Sequence, residues 1–82
     1  MEYQIYVGGT IKIKKGFMKG TLKLMYCGMS SKDRFVLTPF IGVGYHGFTP
    51  SIYYPSNSKF IQVYDKDFEV VEVNPEFIVI AD

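Results

Sequence analysis

Apolar side chains recur along this chain with a period of two, the repeat of a β-strand, whose successive side chains point to opposite faces. Tyr3, Ile5 and Val7 alternate with Gln4 and Tyr6. After Gly8-Gly9, Ile11 and Ile13 share one face of Thr10–Lys14, and Lys12 and Lys14 share the other. Leu22, Leu24 and Tyr26 continue the pattern, opposed by Lys23 and Met25. A polar turn, Ser30-Ser31-Lys32-Asp33, precedes Arg34 to Phe40, and further strands are predicted over Phe60 to Tyr64, Phe68 to Val73 and Phe77 to Ile80. No 10–12 residue stretch places apolar groups at the i, i+3, i+4, i+7 spacing of an amphipathic helix, and Gly and Pro interrupt the chain too often for a long one. The expectation is an all-β fold of short strands and frequent turns, as in a small barrel or sandwich. About five strands over residues 9–73 would form a barrel, with 2–7 and 76–81 as extra terminal strands, all in one domain covering 1–82.

The stretch from Ile41 to Lys59 carries little of this alternation. It is rich in Gly, Pro and aromatic residues, and uninterrupted loops longer than about 12–15 residues are usually functional or disordered. Tyr45, Phe48, Ile52, Tyr53 and Tyr54 are too many apolar groups for a disordered linker, so residues 42–58 are expected to form an ordered loop. Such aromatics suit an interface, because a few large side chains carry most binding energy. The candidate binding residues are Tyr45, His46, Phe48, Tyr53 and Tyr54. The competing reading is that several of them fill the open end of the barrel.

Composition supports a packed core. Apolar residues make up 48% of the 82 positions, with seven Tyr, seven Phe and no Trp, and the net charge is +1. Disordered chains have the opposite profile. The single cysteine, Cys27, excludes an intramolecular disulfide and argues against a cysteine-based zinc site. The chain opens without a basic-then-apolar leader, and no apolar run approaches the roughly 20 residues that span a bilayer. A cytoplasmic protein away from the membrane is the expectation.

Residues 11–24 resemble a KOW-type opening: a strand, a glycine turn with a basic tip (Lys15-Gly16-Phe17-Met18-Lys19-Gly20) and a second strand. Gly44-Tyr45-His46-Gly47, Phe60–Tyr64 and Phe68-Glu69-Val70-Val71 are similar to the glycine-histidine loop, aromatic strand and closing strand of small SH3-like barrel proteins from bacteria and their phages. The resemblance covers about residues 9–73. It implies an SH3-like barrel and a typical habitat without implying an activity, since this fold hosts many unrelated functions.

Catalytic motifs do not assemble. Gly42, Gly44 and Gly47 spell G-x-G-x-x-G, but Thr49-Pro50-Ser51 follows where a dinucleotide site needs a helix. His46 is the only histidine and has no carboxylate neighbour in sequence; one histidine does not make a metal site. Cys27 lies in an apolar strand with nothing local to lower its pKa, and reads as a small buried hydrophobe. Asp65, Asp67, Glu69 and Glu72 lack the calcium-loop spacing and read as a solvated hairpin. No enzyme activity and no cofactor are expected.

Charge is distributed unevenly. Residues 1–34 hold seven of the nine basic residues against two acids, and residues 35–82 hold two basic residues against six acids. Lys12, Lys14 and Lys23 should share an outward face, with Lys15 and Lys19 at the adjoining turn. Outward lysines also blunt edge strands and keep small barrels soluble. The leading expectation is a non-enzymatic module that binds a protein partner through the 42–58 loop, of the accessory or inhibitory kind that phages and mobile elements encode. The alternative is binding of nucleic acid or a small nucleotide, with the lysines on phosphate and the aromatics stacked on bases. The uncharged segment Phe77-Ile78-Val79-Ile80 should pair with a second protomer if it does not close the barrel.

Overall fold

A computed structural model describes residues 1–14, 21–41, 51–63 and 66–82, with backbone alone at Lys14, Thr21 and Ile41. The fold is all-β. The described residues form eight strands: β1 (Glu2–Tyr6), β2 (Thr10–Lys14), β3 (Thr21–Ser31), β4 (Arg34–Ile41), β5 (Ile52–Pro55), β6 (Phe60–Val63), β7 (Lys66–Val73) and β8 (Phe77–Ala81). They build two antiparallel four-stranded sheets, in the orders β1-β8-β7-β6 and β2-β3-β4-β5. The chain passes between sheets at Val7–Gly9 and again at the Ser56–Lys59 turn. The result is a compact, barrel-like globule.

The alternation dictates the packing. Ile13, Leu22, Leu24, Tyr26, Phe35 and Leu37 of one sheet meet Ile5, Ile61, Val63, Phe68, Ile78 and Ile80 of the other in one buried cluster. Each sheet hides one face, so polar residues occupy the alternate positions. β4 departs from this, because Phe35 through Pro39 are all buried and both its faces are covered. Pro39 pairs with Leu24 of β3, and β5 pairs with Arg34–Leu37, so among the described residues β4 has a ladder partner on one side at Pro39, where a proline is tolerated. Tyr26 is fully buried, and its hydroxyl donates to the Asn74 carbonyl at 2.7 Å, tying β3 to the β7–β8 turn across the core. That turn is set by Asn74, whose Oδ1 accepts from the backbone N–H groups of Glu76 and Phe77, both at 2.9 Å.

Four expectations change. Residues 51–58 are not all loop: Ile52–Pro55 form β5, so the described residues of 9–73 hold six strands. Cross-strand pairing to β4 supplies the order that a four-residue segment does not announce by itself. The Phe77–Ile80 segment is not an open edge, since β8 lies between β1 and β7 and both its ladders are filled within the chain. Pairing of a second protomer onto β8 is therefore unavailable. Val7 is half-exposed rather than inward, because β1 ends at Tyr6 and Val7 makes a single bridge to Tyr26. Cys27 is exposed. It is the extra residue of a β-bulge between the Tyr26–Leu37 and Gly28–Val36 pairs, which shifts the strand's phase. Gly28 follows at a φ of 90°, a conformation glycine adopts without strain.

Candidate binding face

The outer face of the β2-β3-β4-β5 sheet collects the cations. Its four strands carry Lys12, Lys14, Lys23 and Arg34 and no Asp or Glu. Lys12 and Lys23 are both exposed and sit directly opposite each other in the β2–β3 ladder. Like charges in that position destabilise a sheet. Stability alone does not favour the pair, which makes it a candidate for a binding role. Lys14 lies on β2 opposite Thr21. Phe40 continues the lysine row as the partner of Lys23 on β4. Arg34 lies at the far end of β4 and is exposed, lining a shallow open cleft with Asp33, Pro55, Ser56 and Asn57. The Ser56 hydroxyl, donating to the Lys32 carbonyl at 3.0 Å, and the Ser56 N–H, donating to that of Asp33 at 2.7 Å, hold the cleft's two walls together.

Between these basic ends the outward positions of β4, Val36 and Thr38, are covered. Val36 is buried, paired with Gly28 on β3 and Tyr53 on β5. Thr38 is the one buried polar residue among those described, and its hydroxyl bridges Cys27 Sγ at 3.2 Å and Ser51 Oγ at 2.9 Å. Cys27 thus has a hydroxyl for a neighbour, and no base among its described partners. Tyr53, on β5, is 56% exposed and is the large apolar side chain most open on this face.

The adjacent tyrosines of β5 have different roles. Tyr54 turns inward, stacks on Phe35 with ring centroids 5.4 Å apart, and donates its hydroxyl to the Gln62 carbonyl of β6 at 3.1 Å. Burial pushes its phenol pKa up. Tyr54 is a brace between the sheets, and Tyr53 is left for contact. Their separation follows from period-two alternation across Ile52-Tyr53-Tyr54-Pro55, a signal too short to read before the strand was known. Tyr45, His46, Phe48, Lys15 and Lys19 lie outside the described residues. Arg34 was not among the residues singled out from sequence; its place at the start of an apolar run, after a charged turn, was the available signal.

The opposite sheet carries the acids. Its strands hold Glu2, Asp67, Glu69 and Glu72 against Lys66. Glu2 and Glu69 flank Ala81 in one cross-strand row, which ends at Phe60, and Glu72 faces Val79 in the next. Phe60 is 72% exposed and Tyr6 61%, the latter packed on Phe77 at 5.5 Å between ring centroids. Asp65 lies outside the described residues. Among those described, no group of three His, Cys, Asp or Glu residues is placed to hold a metal ion, and no helix is long and apolar enough to cross a membrane. The chain matches no family model, no curated protein and no solved structure.

Proposed function

We propose that this domain is a non-enzymatic binding module that recognises the acidic surface of a partner protein through the outer face of the β2-β3-β4-β5 sheet. The observation that carries the reading is the exposed Lys12–Lys23 pair, held in direct cross-strand register on a sheet whose strands contain no acid. Tyr53 supplies an aromatic anchor on the same face, within the aromatic 42–58 stretch. Arg34 supplies a planar, always-charged donor group, suited to gripping a carboxylate with two parallel hydrogen bonds. Electrostatic matching of this kind speeds encounter and selects among partners, and the buried aromatic contributes much of the affinity. A small accessory or inhibitory protein acting on a larger partner fits this equipment, as does the SH3-like resemblance of residues 9–73.

A protein partner is favoured over nucleic acid because the four cations of this sheet are offset by the acids of the other, and the net charge is only +1. A nucleic-acid domain depends on a strong positive field for non-specific affinity. The test is affinity capture from nuclease-treated host lysate with the wild-type chain, Tyr53→Thr and Lys12→Glu/Lys23→Glu. The expected result is an acidic protein retained by the wild type and lost from both variants, with melting temperatures that do not fall. Nucleotide or nucleic acid carried by the wild type, seen by native mass spectrometry before nuclease treatment, would transfer the same face to the alternative ligand. Equal capture by all three proteins would remove the face from consideration.

A further inference from the structure

The two broad faces of this globule are complementary to each other. One sheet presents the Lys12–Lys23 pair toward one end and Arg34 with the exposed Tyr53 toward the other; the second sheet presents Glu2, Glu69, Glu72 and Asp67 with exposed Phe60 and Tyr6. Both combine an aromatic residue with a single predominant sign of charge, and the signs are opposite. The chemistry inferred for the partner of the basic face, an acidic surface, is thus present on the far side of the same chain. We propose that the acidic face of the β1-β8-β7-β6 sheet docks a second copy of this chain through that copy's basic face.

This proposal rests on the basic face being a recognition surface, and it names one occupant of it. The contact is heterologous, since the surface given by one copy differs from the surface it receives, so association continues as a row or closes as a ring. A closed two-fold dimer through either face would set lysines on lysines or glutamates on glutamates and is disfavoured. Size does not prevent it. A stable interface takes about 800 Å² from each partner, roughly one-seventh of this chain's 5354 Å² surface. The near-zero net charge leaves little overall repulsion between copies. The edge of β8 contributes nothing, because both its ladders are already filled. Self-association would occupy the lysines and Tyr53 that an external acidic partner needs, so the two events compete and the assembled form holds the recognition face in reserve.

Sedimentation velocity on the purified chain, with no partner present, tests this separately from the capture experiment. At about 0.01 M ionic strength, where the Debye length is about 30 Å, the wild type is expected to show a concentration-dependent series of sizes. At about 1 M, where it is about 3 Å, that series should weaken at least tenfold. Lys12→Glu/Lys23→Glu has acids on both faces, and Glu69→Lys/Glu72→Lys has bases on both, so each alone should be monomeric. Mixed in equal amounts, they should associate again, because each then supplies what the other lacks. Circular dichroism and melting curves establish that both variants are folded. A monomeric wild type at low salt up to about 1 mM, the weak end of specific binding, would overturn the proposal. So would a capped dimer, association of either variant alone, or failure of two folded variants to associate when mixed. Capture of a foreign acidic protein in the face of any of these results would leave the basic face as a recognition surface and remove only self-docking.

Discussion

Replacing Lys12 with Glu should make the protein more stable while removing its binding, which separates a functional charge from a structural one. Lys12 and Lys23 are exposed and directly opposed across the β2–β3 ladder. Flexible side chains hold such charges about 6 Å apart, where Coulomb's law in water gives about 0.7 kcal/mol of repulsion. Screening at physiological ionic strength, with a Debye length of about 8 Å, leaves roughly half of that. Turning repulsion into attraction doubles the change, so Lys12→Glu should gain about 0.7 kcal/mol, within the range for cross-strand pairs. Glu and Lys are both only mildly disfavoured in strands, so propensity contributes little. A domain of this size shifts its melting temperature by about 4–8 °C per kcal/mol, which gives an expected rise of about 3–6 °C. Urea unfolding at low and high salt is the assay, with the gain falling to about 0.2 kcal/mol near 1 M salt. Destabilisation by Lys12→Glu, or a gain indifferent to salt, would refute the claim that this pair is a cost the fold carries for binding.

Other perturbations separate core from contact. Tyr54→Phe should cost about 1 kcal/mol by removing the hydrogen bond to the Gln62 carbonyl, and Tyr53→Thr, a β-compatible change at an exposed site, should stay within about 0.5 kcal/mol; equal losses in thermal melts would mean the two rings are not divided as described. Tyr26→Phe should cost about 1–2 kcal/mol in urea titrations, because it withdraws the donor from the Asn74 carbonyl. Burial raises the Tyr26 and Tyr54 phenol pKa values above the ordinary 10.0, so their contribution to stability is complete below pH 10 and is lost as pH rises past it. The alkaline limb of the stability curve should accordingly be shallower in the Tyr26→Phe variant. The hydrogen bond donated by Tyr3 at 3.0 Å, aided by Lys66 at 3.6 Å, holds the Asp82 carboxyl below its ordinary 3.8. That contribution is present above pH 3.8 and is lost as pH falls through the lower folded value, so Asp82→Asn should flatten the acid limb and leave the neutral plateau slightly lower. Gly28→Ala should cost about 1–2 kcal/mol, because Gly28 holds a φ of 90° that a side chain strains, while the added Cβ would meet only ordinary contact with Val7 Cγ2 at 3.4 Å; an unchanged urea midpoint would show that the bulge relaxes.

Much of the fold was legible because strand periodicity is local. Whether Ile11 or Lys12 faces the core is decided by which side of a pleat each occupies, and two residues suffice to state it. The same logic read Leu22, Leu24 and Tyr26 inward and Lys23 outward. It failed at Val7 and Cys27, where a strand ends and a bulge inserts one residue, because both events depend on what the neighbouring strand does. It also failed over Ile52–Pro55, whose four residues become a strand only when β4 offers a ladder; this alone divides Tyr53 from Tyr54. For the binding face, composition along the chain showed that cations gather in the first 34 residues and acids in the rest. What it could not show is that β2–β5 form one sheet whose strands carry cations without acids, and that β1 joins β6–β8 in the sheet that carries the acids.

That last step belongs to the tertiary structure. Alternation, turn residues and apolar content determined by themselves that the chain is all-β, and which side chains each strand offers to a core. Only long-range pairing decided that β8 sits between β1 and β7, closing an edge that looked open, and that β2 through β5 form a sheet without an acid. The physical reason is range. Side-chain direction is a property of one strand, whereas sheet membership is settled by hydrogen-bond ladders and core contacts between residues distant in sequence, which no local pattern encodes.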